Sequence, residues 1–190
     1  MDVLLLIALI LMNGALAMSE IALVSARRAR LARLAEAGDK SAAVAVRLGE
    51  EPTRFLSTIQ VGITSIGILS GIVGEAALAL PLADWLATLG VARETGLVLA
   101  TVLVVVVITY VSIVVGELVP KRLGQIDPEG TARAVARPMN ALATAARPFV
   151  WLLSWSTAAL LRLLGHADLV ASRVTEDEIH ALLQEGSEAG

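Results

Sequence analysis

Residues 97–121 read LVLATVLVVVVITYVSIVVGELVPK, a long apolar run that ends in Gly116-Glu117-Leu118-Val119-Pro120-Lys121. Such a run is long enough to cross a bilayer, which takes roughly 20 residues of helix. It sets the class: a helical membrane protein. Glu117 then sits at membrane depth, where a carboxylate is costly and is kept for a partner or a task. Pro120 lacks the amide that would bond to the carbonyl four residues back, which belongs to Gly116. A freed carbonyl and a carboxylate on consecutive residues are hard oxygen donors, the type that Mg²⁺ and Ca²⁺ prefer. The plainer alternative is a helix end at the lipid headgroups, with Pro120 as its stop signal.

The rest of the chain agrees with the class. It is 56% hydrophobic and only 17% charged, with a mean hydropathy of +0.76, well outside the habit of soluble domains. Three spans are expected, at about residues 3–25, 55–80 and 96–119. The first carries Ala15-Leu16-Ala17, which mimics a cleavage motif, but its basic residues follow it rather than precede it. A retained span is expected, not a signal peptide. The chain has no cysteine, which rules out disulfides and thiolate chemistry. Arg27, Arg28, Arg30, Arg33, Lys40, Arg47 and Arg54 follow span one, and only Arg93 lies between spans two and three. The positive-inside rule places the N-terminus outside and the C-terminus in the cytoplasm of a multi-pass cell (inner) membrane protein. The basic residues are scattered and aromatics are few, so nucleic acid is not an expected partner.

Residues 26–48 read as interfacial helix, or as a solvated connector, broken at Gly38-Asp39 with Asp39 as a cap. Asp127-Pro128-Glu129 reads as another helix start, with interruptions expected at Pro138 and Pro148. Residues 149–164 are expected to form juxtamembrane helix rather than a fourth crossing. The fold class is therefore all-α: three transmembrane helices plus juxtamembrane helices on the cytoplasmic side. Residues 1–165 form the transmembrane domain. Residues 166–190 form a connector helix, opened by a capping box from Thr175 to Glu178, that leads to a further cytoplasmic domain.

Polar residues recur inside the spans. Ser19 lies about 10 Å and Ser65 about 15 Å from the inner ends of their spans, and Gly116 and Glu117 within about 8 Å, at 1.5 Å per residue. Three helices thus offer oxygen at overlapping depth, beside backbone opened by proline, as ion transporters do. Asn13 and Glu20 share a face of span one, while Ser19 is turned about 100° from Glu20. Glu20 is read as neutralising a neighbour, binding a coupling ion, or being a snorkelling or protonated carboxyl. Thr64 and Pro120 are read as supporting residues. Gly67, Gly71 and Gly74 form one small-residue face, suited to a dimer seam, a thin wall beside an ion site, or packing within the chain.

In order and spacing, several of these pieces resemble the transmembrane domain of the CorC/CNNM family of Mg²⁺ transporters. The matching pieces are Asn13-Gly14, Ala17-Met18-Ser19-Glu20-Ile21-Ala22, Gln60-Val61-Gly62-Ile63-Thr64, Gly116-Glu117-Leu118-Val119-Pro120-Lys121 and Val174-Thr175-Glu176-Asp177-Glu178-Ile179. The resemblance implies a homodimer in the lipid bilayer, with dehydrated Mg²⁺ in a cytoplasm-facing cavity. It also implies Mg²⁺ export driven by Na⁺ entry, and ATP bound by a CBS-domain pair beyond this chain. Carried onto this sequence, the metal ligands are Ser19, Ser65, the Gly116 carbonyl and Glu117, with Asn13, Glu20, Thr64 and Pro120 in support or serving Na⁺. The chain departs from the pattern at Glu20, where eukaryotic relatives often have glycine. It departs again at Ile63-Thr64-Ser65-Ile66-Gly67, where they are richer in asparagine.

Two other function classes compete. A non-transporting Mg²⁺ sensor or membrane scaffold would keep the ion site and lack a route through the mostly aliphatic outer halves of the spans. An intramembrane enzyme would need a nucleophile with its base, or an acid pair. The expected spans hold no histidine, cysteine, lysine or paired aspartates, so no enzyme is expected.

Overall fold

The computed structural model describes residues 2–164, all of whose regular structure is helical. Span one is α1 (Asp2–Ser25). Two short helices follow, α2 (Arg28–Glu36) and α3 (Lys40–Glu50). Span two joins α4 (Pro52–Gly74), a π-helical turn π1 (Glu75–Ala79) and α5 (Leu80–Thr88). Span three joins α6 (Arg93–Ile113), a second π turn π2 (Val114–Leu118) and α7 (Val119–Ile126). Then come α8 (Pro128–Ala145) and α9 (Arg147–Leu163).

The three long apolar helices run over Asp2–Ser25, Pro52–Thr88 and Arg93–Ile126. Spans two and three are longer than expected, because the prolines at 81 and 120 do not end them. Each follows a π turn and sits in the first turn of the next α segment, where a missing amide is tolerated. The turn after span two is closed by Gly90 at φ +89°, a left-handed conformation that glycine adopts without strain.

Glycines set the helix order. A methyl group at Gly116 would lie 3.3 Å from the Ile10 carbonyl oxygen, one at Gly14 would lie 2.9 Å from the Pro120 ring, and one at Gly124 would lie 2.9 Å from the Met18 carbonyl oxygen. Residue numbers rise together along this seam, so α1 and span three run parallel. Gly62 meets Leu16, whereas Gly74 meets Ile108. Span two is therefore antiparallel to both, as three successive crossings require. The core has two parts. Leu16, Phe55, Ile59 and Ile66 pack with alanines of α3 and α8, and Leu6, Ile10, Ala79, Val104 and Ile108 join α1, π1 and α6.

The helices outside the spans are tied by capping and charge. Asp39 Oδ1 accepts from the amides of Ser41 at 2.8 Å and Ala42 at 3.1 Å, the cap expected at the Gly38-Asp39 break. Its other oxygen accepts from Arg133 Nε of α8 at 2.6 Å. The Ala42 amide first, then the Ser41 amide and Arg133, hold the Asp39 carboxyl below the usual 3.8, against the opposing pull of desolvation. A depressed carboxylate stabilises the fold above its unfolded pKa, and that contribution is lost as pH falls through the lower folded value. Melting of wild type should therefore weaken below about pH 4, the ordinary aspartate range. Asp39→Asn should melt lower at pH 7 and lose part of that acid sensitivity.

Asp127 Oδ1 caps α8 through the Gly130 amide at 3.0 Å, as the sequence suggests. The interruption expected at Pro138 does not occur, for α8 continues through it to Ala145. Ala132 and Ala136 are fully buried in the core, and this packing outweighs the single hydrogen bond that proline removes. The break falls at Ala146, and Pro148 lies in the first turn of α9. The connector over 166–190, with its capping box, lies outside the described residues.

Candidate functional site

The two π turns place the polar groups of the spans. In π2 the Val119 amide bonds to Val114, five residues back, and the next residue is Pro120, with no amide to give. In this five-residue register the carbonyl left without the proline's amide is that of Val115, not the Gly116 carbonyl that a four-residue α-helical count indicates. Asn13 of α1 reaches in, and its Nδ2 donates to the Gly116 carbonyl at 2.9 Å. Asn13 is 9% exposed, and its Oδ1 is buried without a hydrogen-bond partner among the described residues. A buried amide oxygen left so is a costly arrangement that calls for a ligand, water or ion.

This corner opens into a cavity of about 520 Å³ between α1, span two and span three. Asn13 and Glu117 line it, with Ser70, Thr109 and Ser112, and Glu75 lies further along. The remaining wall is aliphatic, from Ile10, Ile66, Val104 and Ile108 among others. Glu75 opens π1 as Glu117 lies in π2, and each π turn is preceded or entered by a Gly-Glu pair with a proline beyond. Such turns gather at functional positions.

Glu117 also has a cationic neighbour. Lys121 Nζ lies 3.0 Å from Glu117 Oε1 and 3.2 Å from Glu20 Oε2. The neighbour that Glu20 neutralises is thus Lys121, one turn beyond Glu117. The spacing of four between Glu117 and Lys121 could have shown this pair from sequence, but a span ending at 119 leaves Lys121 outside it.

The other expected ligands are placed differently. Ser19 is 1% exposed, and its hydroxyl donates to the Ala15 carbonyl of its own helix at 2.6 Å. It lies six residues beyond Asn13, about 9 Å along the helix, and does not line the cavity. Ser65 stands at Asn13's depth, since Gly62 packs on Leu16, but both Ser65 and Thr64 are exposed. Span two instead turns Ile66, Gly67, Ser70 and Gly71 to the cavity. The three expected glycines divide. Gly67 and Gly71 border open space, and Gly74 packs against Ile108. Among the described residues no three acidic, histidine or cysteine side chains gather as a metal cluster. The oxygen donors are the Glu117 carboxylate and the Asn13 amide, which line the cavity, and the Gly116 carbonyl that Asn13 holds.

Residues 4–190 match the model of the Cyclin M transmembrane N-terminal domain. The chain is 46% identical over 182 residues to a UPF0053 protein of Synechocystis, covering 96% of this chain and 41% of that protein. It is 36% identical over 169 residues to an uncharacterized protein of Mycobacterium tuberculosis H37Rv, 87% of this chain and 48% of that one. It is 30% identical over 189 residues to the polyamine export protein of Escherichia coli K12, 100% of this chain and 42% of that one. The chain thus spans less than half the length of these relatives. With a family model covering nearly all of it and three membrane-length helices in place, the chain belongs to the Cyclin M transmembrane domain (CNNM/CorC) family of multi-pass membrane proteins.

Proposed function

We propose that the chain is the membrane part of a cation exporter whose cargo is Mg²⁺, held where Asn13, Gly116 and Glu117 meet. The observation that carries this reading is the buried Asn13 Oδ1, without a partner among the described residues, on the side chain that holds the Gly116 carbonyl. Together with Glu117 these are hard oxygens in a partly apolar cavity, and Mg²⁺ takes such ligands in near-octahedral order. In this reading Ser19 and Ser65 complete the set once spans one and two turn about their axes, a change of the helix-shift kind. Span three keeps much of its apolar surface uncovered, with Val98 at 63% and Tyr110 at 68% exposed. Lipid and a second copy of the chain share that surface in this reading. The arginine distribution supports the N-terminus outside and the C-terminus in the cytoplasm. Na⁺ entry as the driving force comes from the family resemblance. ATP would act through a further domain, for which the greater length of the relatives leaves room.

A second reading, polyamine export, has its own support. The cavity holds two carboxylates, Glu75 and Glu117. Gly74 packs on Ile108, nine residues before Glu117, so they stand roughly 13 Å apart along the spans at 1.5 Å per residue. An apolar groove with an acid towards each end suits a linear polyamine, and the Escherichia coli relative is named for exporting such compounds. Liposomes containing only the purified full-length protein decide between them. We expect Mg²⁺ flux that spermidine does not match. Spermidine flux without Mg²⁺ flux would establish the second reading, and Mg²⁺ binding without any flux would mark a sensor or scaffold.

A further inference from the structure

We infer that Lys121 is a built-in competitor for the cargo cation: a tethered ammonium that occupies Glu117 when cargo is absent and withdraws to Glu20 when cargo binds. The inference rests on the reading that Glu117 receives a cation. Lys121 Nζ lies 3.0 Å from Glu117 and 3.2 Å from Glu20, so its charge is already shared between two seats. The two seats belong to different helices. Glu117 precedes Lys121 by one turn of span three, and Glu20 reaches across from α1. Their register is fixed by the close contacts of Gly14 with Pro120 and of Gly124 with Met18. Lys121 can therefore leave Glu117 without leaving its place in the fold.

Charge explains why two seats are needed. Glu20, Glu117 and Lys121 together carry one net negative charge (two carboxylates, one ammonium). With Lys121 on Glu117, the carboxylate that lines the cavity with Asn13 is neutralised and a second cation gains little there. If cargo takes Glu117, an ammonium without Glu20 would be left close to a divalent ion, and like charges at such range repel strongly. Glu20 gives the ammonium an acceptor and removes that conflict. All three side chains are partly exposed, at 28%, 41% and 32% for Glu20, Glu117 and Lys121. The competition is therefore moderated by solvent, as suits a group that must exchange during each transport cycle. It also keeps Glu117 from standing bare at membrane depth after cargo leaves, a state that burial penalises.

The test is calorimetric titration of the full-length protein in lipid nanodiscs with Mg²⁺, for wild type, Lys121→Met, Glu20→Gln and the double variant. Lys121→Met should bind Mg²⁺ about tenfold tighter, within the usual range of coupling between interacting sites. Glu20→Gln should bind more weakly than wild type, because Lys121 then has only Glu117 to rest on. The double variant should match Lys121→Met, since Glu20 acts through the ammonium. A bystander lysine would also relieve some repulsion when removed, but Glu20→Gln would then weaken binding equally with and without Lys121. Unchanged or weaker binding by Lys121→Met would overturn the inference, and so would a Glu20→Gln defect that persists undiminished without Lys121. The Glu20→Gln arm stands by itself if Lys121→Met folds poorly. Parallel titrations with spermidine separate the two readings: a wild type that ignores Mg²⁺ sinks the cargo assignment, while the effect of Lys121 is still read with the amine.

Discussion

Glu117→Gln should leave the protein folded and unable to hold or carry Mg²⁺. The substitution keeps the side chain's volume and removes the charge that, among the described residues, lines the Asn13 end of the cavity. A unit charge a few ångströms from a cation contributes about 4 kcal/mol at the effective dielectric of a protein surface, and more for a divalent ion. After discounting for solvent, a loss of at least ~100-fold in affinity remains, at about 1.4 kcal/mol per tenfold. The fold should survive, because among the described residues the one ion pair of Glu117 is with Lys121, which keeps Glu20. Titration of Mg²⁺ and vesicle flux read the loss, and a thermal melt within a few degrees of wild type reads the fold. Wild-type binding by this variant would remove the site from this corner altogether.

Gly124→Leu should have the largest effect on the fold. A methyl group there would already lie 2.8 Å from Ile21 Cγ2 and 2.9 Å from the Met18 carbonyl oxygen. The second neighbour is backbone, so α1 and α7 would have to part. Overpacking of this kind costs about 1–3 kcal/mol and sometimes more. Low yield and a markedly lower melting temperature are expected. Gly67→Ala is the contrasting case, since no described residue lies within 4 Å of the added methyl. It should melt like wild type and reduce flux by narrowing the cavity. Equal melting temperatures for the two variants would contradict the parallel seam of α1 and span three.

Much of the fold was legible. Apolar run length located the three spans, and Asp39 and Asp127 marked helix starts, because these signals are local. Pro138 misled for the opposite reason: its cost is local, but the packing of Ala132 and Ala136 that overrides it is tertiary. At the site, Gly116, Glu117 and Pro120 could be read together because they are adjacent in sequence. Asn13 could be placed on a face, but its grip on Gly116 needs the parallel seam of two spans a hundred residues apart. Ser65 shows the limit of depth as a guide. It lies at the right height, yet Ile59 and Ile66 take the inward face of span two. The two π turns escaped a reading at a uniform 3.6 residues per turn, and with them went the extension of span three to Lys121.

Each of those wide turns stores one surplus residue, wound into a helix that remains hydrogen-bonded on both sides. Passing that surplus along the chain would swivel everything beyond it by about 100°, the angle of one helical step, with no need to melt a segment in lipid. Two of the three spans are therefore made as jointed rods. The joint in span three lies just above the lysine that chooses between two acids, so a swivel there would itself move the ammonium.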